Sequence, residues 1–435
     1  MNTASTPPLT PAADHTPPHG ALRYAGTCTG LALVIGMASG SLSALFLWSL
    51  DAVTSLRFAH PALIFLLPLT GVFIVWCYKR WGSEANRGNN LILERIRLQN
   101  GTVPTRMTPL IFGGSVLSHL VGASTGREGA AVQMGGSVAA LLVRVTQVPQ
   151  QYIRPLLVAG VAAGFSSIFG TPLAGALFAV ESPTPQRPLF HLLPVAMLSS
   201  FCAHLTCLAW GAHHAVYKIA PMEWAHLFNF KMLGALALAS LLFGWAGHGF
   251  LRLQQAIRTL YTHLSPPWWL PPIIGGGLLI IASQMPSLQD SLGLGTWSTR
   301  PEAVTLASAF APEGANELSW LSKLTLTAVS LGSGFKGGEV TPLFFMGATL
   351  GNTLATVLHL APSLFAALGF VAVFAAAAHT PLTGILVAGE LFGFAFTPLF
   401  APVCWIAHLA CGRVGLFSNQ FSKGAGEGPF ATPQK

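Results

Sequence analysis

The segment TPLAGALFAVE, from Thr171 to Glu181, has a second version later in the chain, TPLTGILVAGE, from Thr380 to Glu390. Both copies have Thr-Pro-Leu, a glycine, a leucine and a final glutamate in the same register. Proline at the start of an apolar run is typical of the first position of a helix, where its missing N–H costs no hydrogen bond. Each copy is therefore predicted to be a short apolar helix that ends in a carboxylate.

A glycine-rich turn with charged residues precedes each copy. It reads GREGAAVQMGG, residues 126–136, in the first half and GGEVTPLFFMG, residues 337–347, in the second. The glutamates of these turns, Glu128 and Glu339, precede the following Thr-Pro-Leu by 43 and 41 residues. Matching broken segments in two halves are typical of transporters built from repeats, with the substrate site between them. The alternative is a chance similarity of two apolar helices.

The composition of the chain indicates an integral membrane protein. Of 435 residues, 8% are charged and 52% are hydrophobic, whereas charged residues make up about 25% of an ordinary soluble domain. Residues 340–389 contain no Asp, Glu, Lys or Arg, and one membrane span needs about 20 apolar residues. Because 46 glycines and 31 prolines interrupt the apolar runs, we predict an all-α fold of many short or broken helices. Alternatively, the glycines only allow helices to pack closely.

The charged residues suggest an orientation and exclude several partners. The stretch from Lys79 to Arg106 contains six basic residues and only two glutamates, which predicts a cytoplasmic segment. The net charge of +8 forms no basic stripe with stacking aromatics, so nucleic acid is not expected to bind. The six cysteines form no close pair and the histidines lack metal-ligand spacing, so we expect no cofactor and no metal.

One membrane domain is predicted to account for most of the chain. Residues 1–21 are rich in proline and lack a basic leader, which predicts a disordered N-terminal tail. Residues 22–420 form the predicted membrane domain, with two repeats at about 22–211 and 230–420. Residues 421–435 are predicted to be a C-terminal tail.

The glycine-rich turns are suited to binding an anion. The first turn of a helix leaves N–H groups unpaired and carries a partial positive charge, so converging helix N-termini make an anion site without full cations. Glycine lets the backbone approach the ion, as at Gly126 and Gly129. A carboxylate at the same place, from Glu128 or Glu339, would compete with the anion until it is protonated. Such competition would couple anion movement to proton movement.

The sequence GREGAAVQ, residues 126–133, resembles the GREGP-x-VQ motif of the CLC family of anion channels and proton-coupled antiporters, with Ala130 in place of proline. The resemblance extends from about Leu22 to Gln420. It implies a CLC-type bundle of short, tilted and broken helices in inverted repeats. It also implies a homodimer with one anion pathway per subunit, and Glu128 as the gating glutamate.

Departures from the family pattern resemble its fluoride/proton antiporter branch, CLC-F. GGEVTPLF stands where chloride-handling members usually have GxFxP, and Asn89 aligns with the family's chloride-binding serine. Ser182 occupies the position of the internal proton-transfer glutamate of the chloride/proton exchangers. The resemblance therefore implies that Glu339, together with Thr341, takes over proton transfer. For Glu339 the alternative is a helix cap without a transport role.

The predicted site has two parts. Gating and proton coupling are assigned to Glu128 and Glu339, and anion binding is assigned to Asn89, Gly126, Arg127, Gly129, Thr341, Phe344 and Phe345. For the two phenylalanines, which would present aromatic edges to the ion, ordinary packing is the alternative. For Glu181 and Glu390, a structural role and a position that lines the pathway mouth are both open.

The predicted function is export of fluoride in exchange for protons by a multi-pass protein of the bacterial inner (plasma) membrane. Fluoride, or chloride, protons and the lipid bilayer are the expected partners. The alternative is a chloride or nitrate channel or a chloride/proton exchanger of the same fold. Because no Ser, His and Asp are arranged for nucleophilic catalysis, an enzyme is not expected.

Overall fold

The computed structural model describes residues 20–99, 101–221 and 230–417, and these residues fold into helices. No strand occurs among them, and their one β-type pairing is an isolated bridge. The α-helices of the described residues are α1 Ala21–Ala59, α2 Leu67–Cys77, α3 Asn89–Leu98, α4 Met107–Leu120, α5 Glu128–Thr146, α6 Ile153–Phe169, α7 Pro172–Glu181, α8 Leu193–Ala209, α9 Phe230–Leu264, α10 Leu270–Ser283, α11 Ser319–Gly332, α12 Val340–Leu358, α13 Pro362–Ala378, α14 Pro381–Phe392 and α15 Thr397–Cys411.

Within the described residues, eight helical segments are long and apolar enough to cross a membrane, and five shorter apolar helices accompany them. The predicted all-α membrane fold of short and long helices is therefore confirmed. The first long helix, α1, has 39 residues, and α9 has 35. The apolar runs of the sequence predict spans only over about residues 32–50 and 232–251 in these two helices. Hydropathy marks the apolar part of a helix, whereas its hydrogen bonds continue into polar ends.

The predicted tails lie largely outside the described residues. Residues 1–19 and 421–435 belong to this group. At the N-terminal boundary, Gly20 precedes the first helix and Ala21 is already helical, although the predicted tail includes both.

Glycines bring two pairs of helices into backbone contact at the centre of the protein. A Cβ atom added to Gly135 of α5 would lie 2.1 Å from the carbonyl oxygen of Gly160 in α6. A Cβ atom on Gly347 of α12 would lie 1.9 Å from the carbonyl oxygen of Gly369 in α13. No side chain fits at such distances, so close packing is the role of these glycines. The contacts hold α5 and α12 firmly against the buried helices α6 and α13.

The matching helices α7 and α14 cap one another. The N–H groups of Leu173 and Ala174 in α7 donate to the two carboxylate oxygens of Glu390, both at 2.8 Å. In return, Leu382 and Thr383 of α14 donate their N–H groups to Glu181 at 3.0 and 2.8 Å. These bonds satisfy N–H groups that have no partner inside their own helices. Both glutamates are therefore placed as structural caps.

The hydroxyls of the threonines at the N-cap positions do not cap these two helices. Thr171 and Thr380 occupy the N-cap positions of α7 and α14, and neither hydroxyl makes a hydrogen bond to its helix. Each helix start therefore depends on a carboxylate from the other half of the chain. The hydrogen bonds from these glutamates therefore hold the two halves of the chain together.

We expect Glu390→Ala to destabilise the protein, because it leaves the N–H groups of Leu173 and Ala174 buried without acceptors. The loss should be about 1–3 kcal/mol of unfolding free energy, seen as a lower melting temperature in detergent. Glu317→Ala is the matched control, since Glu317 is exposed. Equal melting temperatures for the two variants would contradict the capping role.

Candidate functional site

Two helix N-termini meet at the antiparallel bridge between Gly126 and Gly338. The N–H of Gly126 donates to the carbonyl of Gly338, and the N–H of Gly338 donates to the carbonyl of Gly126, both at 2.7 Å. The bridge directly precedes α5, which begins at Glu128, and α12, which begins at Val340. A Cβ atom on Gly126 would lie 2.7 Å from Cδ of Pro342, so only glycine fits there. The two helix starts are thus held side by side.

Glu128 places its carboxylate on the N-terminus of α12. One oxygen, Oε2, accepts the N–H of Thr341 at 3.0 Å and also the Thr341 hydroxyl. The other oxygen, Oε1, lies 3.4 Å from Nε of Arg127. The side chain is 1% exposed. A helix N-terminus is a favourable place for an anion, so the carboxylate occupies a position that a free anion could take.

Asn89 and Glu339 meet beside Gly129. A Cβ atom on Gly129 would lie 3.1 Å from Cα of Gly338, 3.2 Å from Nδ2 of Asn89 and 3.6 Å from Oε2 of Glu339. Asn89 is the first residue of α3, and its Oδ1 atom is buried without a hydrogen-bond partner. A third helix start therefore reaches the site. The glycine keeps open a space that is lined by an amide and a carboxyl group.

A polar stripe on α9 leads to Glu339. Nε2 of Gln254, which is 6% exposed, donates to Oε1 of Glu339 at 3.5 Å. One turn further on, Arg258 is exposed and interacts electrostatically with Glu339 and Lys336. The stripe thus connects Glu339 with the surface. Gln254 was not predicted from the sequence, although a glutamine four residues before an arginine on a membrane helix is a signal for such a stripe.

Phe344 and Phe345 are fully buried but have different surroundings. Phe344 stacks on Phe370 with ring centroids 4.1 Å apart and on Phe169 at 4.8 Å. Phe345 lies under Lys323, whose Nζ is 5.3 Å from the ring centroid. The contacts of Phe344 therefore agree with packing in an aromatic cluster. For both residues a role in anion binding stays a prediction.

The structure brings seven of the nine predicted site residues together: Glu128, Arg127, Gly126, Gly129, Thr341, Glu339 and Asn89. Two of them carry carboxylates, and the surrounding groups are N–H, hydroxyl and amide donors at helix starts. Such a set can hold a small anion and can exchange protons at the same place. The fold and the site together define a membrane protein that handles anions.

Comparison with known proteins agrees with this class. The family model described as voltage gated chloride channel matches residues 70–412. The chain belongs to this family, the CLC family, as its resemblance to the GREGP motif predicted.

Individual relatives give more detail. A protein of Pseudomonas syringae pv. tomato named "Chloride/fluoride channel protein" is 41% identical over 410 residues, which cover 92% of this chain and 87% of that protein. The crystal structure of a CLC-type fluoride/proton antiporter has a TM-score of 0.86 and 29% identity, covering 92% of this chain and 99% of the other. A slow cyanobacterial chloride/proton antiporter has a TM-score of 0.72 at 19% identity, over 88% and 94% of the two chains. The second structure bears on the fold alone, and the predicted CLC-type bundle is confirmed.

Proposed function

We propose that the protein is an antiporter that exports fluoride in exchange for protons. The observation that carries the proposal is the bond from the N–H and hydroxyl of Thr341 to the carboxylate of Glu128. A protonated Glu128 has lost the charge that holds it at the helix start, so an anion can replace it there. When the proton leaves, the carboxylate returns and the anion is expelled.

Fluoride is favoured over chloride by the chemistry of the donors and by the relatives. Fluoride is small and strongly hydrated, so its site has to replace water with close N–H and O–H donors. Thr341 and Asn89 offer such donors near Glu128 and Gly129. The relative at 41% identity is named for both halides, and the solved structure at 29% identity is a fluoride/proton antiporter.

Glu339 is proposed as the inner proton carrier. Although it occupies the N-cap position of α12, its side chain makes no capping hydrogen bond and instead accepts one from Gln254. This geometry argues against the simple capping alternative. A glutamine amide can donate to a carboxylate and accept from a carboxylic acid, so Gln254 suits both protonation states of Glu339.

The assembly proposed is a homodimer in the bacterial inner (plasma) membrane. The outer faces of α8 and α15 expose large apolar side chains, including Phe201, Leu205, Trp405 and Leu409. Such faces suit contact with lipid or with a second copy of the chain. The bacterial relative named above supports the bacterial membrane.

Ion fluxes from liposomes test the proposed function. With the purified protein reconstituted, an outward fluoride gradient should drive protons inward against their own gradient, and an equal chloride gradient should drive far fewer. Fluoride and chloride electrodes and a pH electrode record both processes. Proton uptake driven equally well by chloride would support the chloride/proton exchanger, and anion flux without proton movement would support a channel.

Glu128→Gln should abolish proton coupling, because an amide cannot take up and release a proton at the start of α12. The passive anion flux can change in either direction, so the ratio of protons to fluoride is the quantity to measure. Glu302→Gln, at an exposed loop position, should keep the wild-type ratio. Uphill proton uptake that persists in Glu128→Gln is incompatible with a gating role.

Glu339→Gln should also abolish coupled efflux while the protein stays folded, since it keeps the side-chain shape and removes titration. Thr341→Val should weaken transport less, because the anion and the Glu128 carboxylate that competes with it lose the same hydroxyl donor, worth about 0.5–1.5 kcal/mol to each, so their balance changes little. Melting temperatures in detergent report the fold of both variants. Coupled transport at the wild-type rate in Glu339→Gln would leave Glu339 with a structural role only.

A further inference from the structure

Three buried or partly buried glutamates bind the first turn of another helix, but they do not bind it equally. Glu181 and Glu390 each use both oxygens, one on the N–H of the second helical residue and one on the N–H of the third. Glu128 accepts only one backbone N–H, that of Thr341. The Thr341 hydroxyl adds to this bond, as the Thr383 hydroxyl does for Glu181.

The position of a proline explains the difference. Pro172 and Pro381 are the first residues of α7 and α14, which leaves the N–H groups of the second and third residues free to form a two-point clamp. In α12 the proline is the third residue, Pro342, and it has no N–H to offer. The next N–H, that of Leu343, is already bonded to the carbonyl of Glu339 at 3.2 Å.

As a result, the second oxygen of Glu128 has no backbone N–H to bind. It lies instead 3.4 Å from Nε of Arg127, without the geometry of a hydrogen bond. The carboxylate is therefore attached at one residue of α12, where its two counterparts are each attached at two residues of their helices. A carboxylate with one attachment leaves its site more readily than one with two.

We propose that Pro342 is a positioning residue that keeps Glu128 releasable by withholding the N–H that would complete a clamp. The proposal rests on the proposed function, in which Glu128 has to leave the start of α12 and return in each cycle. An N–H at position 342 would bind Oε1 as the N–H of Ala174 binds Glu390. One more charge-assisted hydrogen bond should slow release by about tenfold or more.

The test is fluoride efflux from liposomes that contain Pro342→Ala. At neutral pH we expect efflux to be about tenfold slower than in the wild type, the factor for one charge-assisted bond. Pro381→Ala is the matched control, because the first residue of α14 does not bind Glu181, and it should keep the wild-type rate. An efflux rate for Pro342→Ala within twofold of the control would overturn the proposal.

Two further measurements separate a clamp from damage to the fold. Adding Glu128→Ala should remove the effect of Pro342→Ala, since no carboxylate remains to be clamped. In the single variant, acid should restore the rate to that of the wild type at the same pH, because protonation releases the clamp. Arg127 and Tyr217 also interact with Glu128, and Glu339 lies beside the same site, so the two proteins are compared at each pH. A slow rate at every pH, or one that persists without Glu128, would show that Pro342 acts through the fold alone. If the wild type moves fluoride without protons, the proposed function itself fails.

Discussion

Helices that begin inside a membrane protein have N–H groups that water does not reach, and every such group needs an acceptor. This constraint governs the centre of the molecule. The starts of α7, α12 and α14 all receive a carboxylate from a different helix. Helices α7 and α14 each end in the glutamate that accepts the first N–H groups of the other. Each helix start therefore depends on the other helix. The same N–H groups, whose acceptors stabilise the fold, form the place at the start of α12 where we propose that an anion binds.

Close packing makes these contacts possible. The carboxylate of Glu128 reaches α12 only because the bridge between Gly126 and Gly338 fixes the two helix starts side by side. The bridge in turn requires glycine, since a side chain on Gly126 would overlap Pro342. Gly135 and Gly347 also require glycine, because at these positions the backbones of α5 and α12 touch those of α6 and α13. Glycine therefore serves two purposes here, helix packing at positions such as Gly135 and Gly347 and an open site at Gly129.

The sequence was sufficient to predict the class of fold, and seven of the nine residues that it assigned to the site lie together in the structure. Charge-free runs reveal membrane helices, and the repeated Thr-Pro-Leu segments mark helix starts, because both signals are local. The convergence of Glu128, Thr341 and Asn89 was predicted from the resemblance to a family motif, since no local pattern brings α3, α5 and α12 together. Gln254 lies on α9 and belongs to no motif. It was not predicted, because its contact with Glu339 joins helices that are distant in the sequence. The stacking of Phe344 on Phe370 depends on packing between helices, which a single sequence does not specify.

The three capped helices also show why stability and transport make opposite demands on one interaction. A cap that serves stability should hold its carboxylate as firmly as possible, and the paired N–H groups of α7 and α14 do so. A site that exchanges its carboxylate for an anion needs the two to bind with similar strength, because a ligand shifts an equilibrium only by its difference in affinity for the two states. With the single backbone N–H of Thr341, α12 offers Glu128 one backbone donor fewer than α7 offers Glu390. On the proposed function, the chain thus uses one kind of contact for both purposes, and the number of N–H groups that each helix start presents sets the strength of that contact.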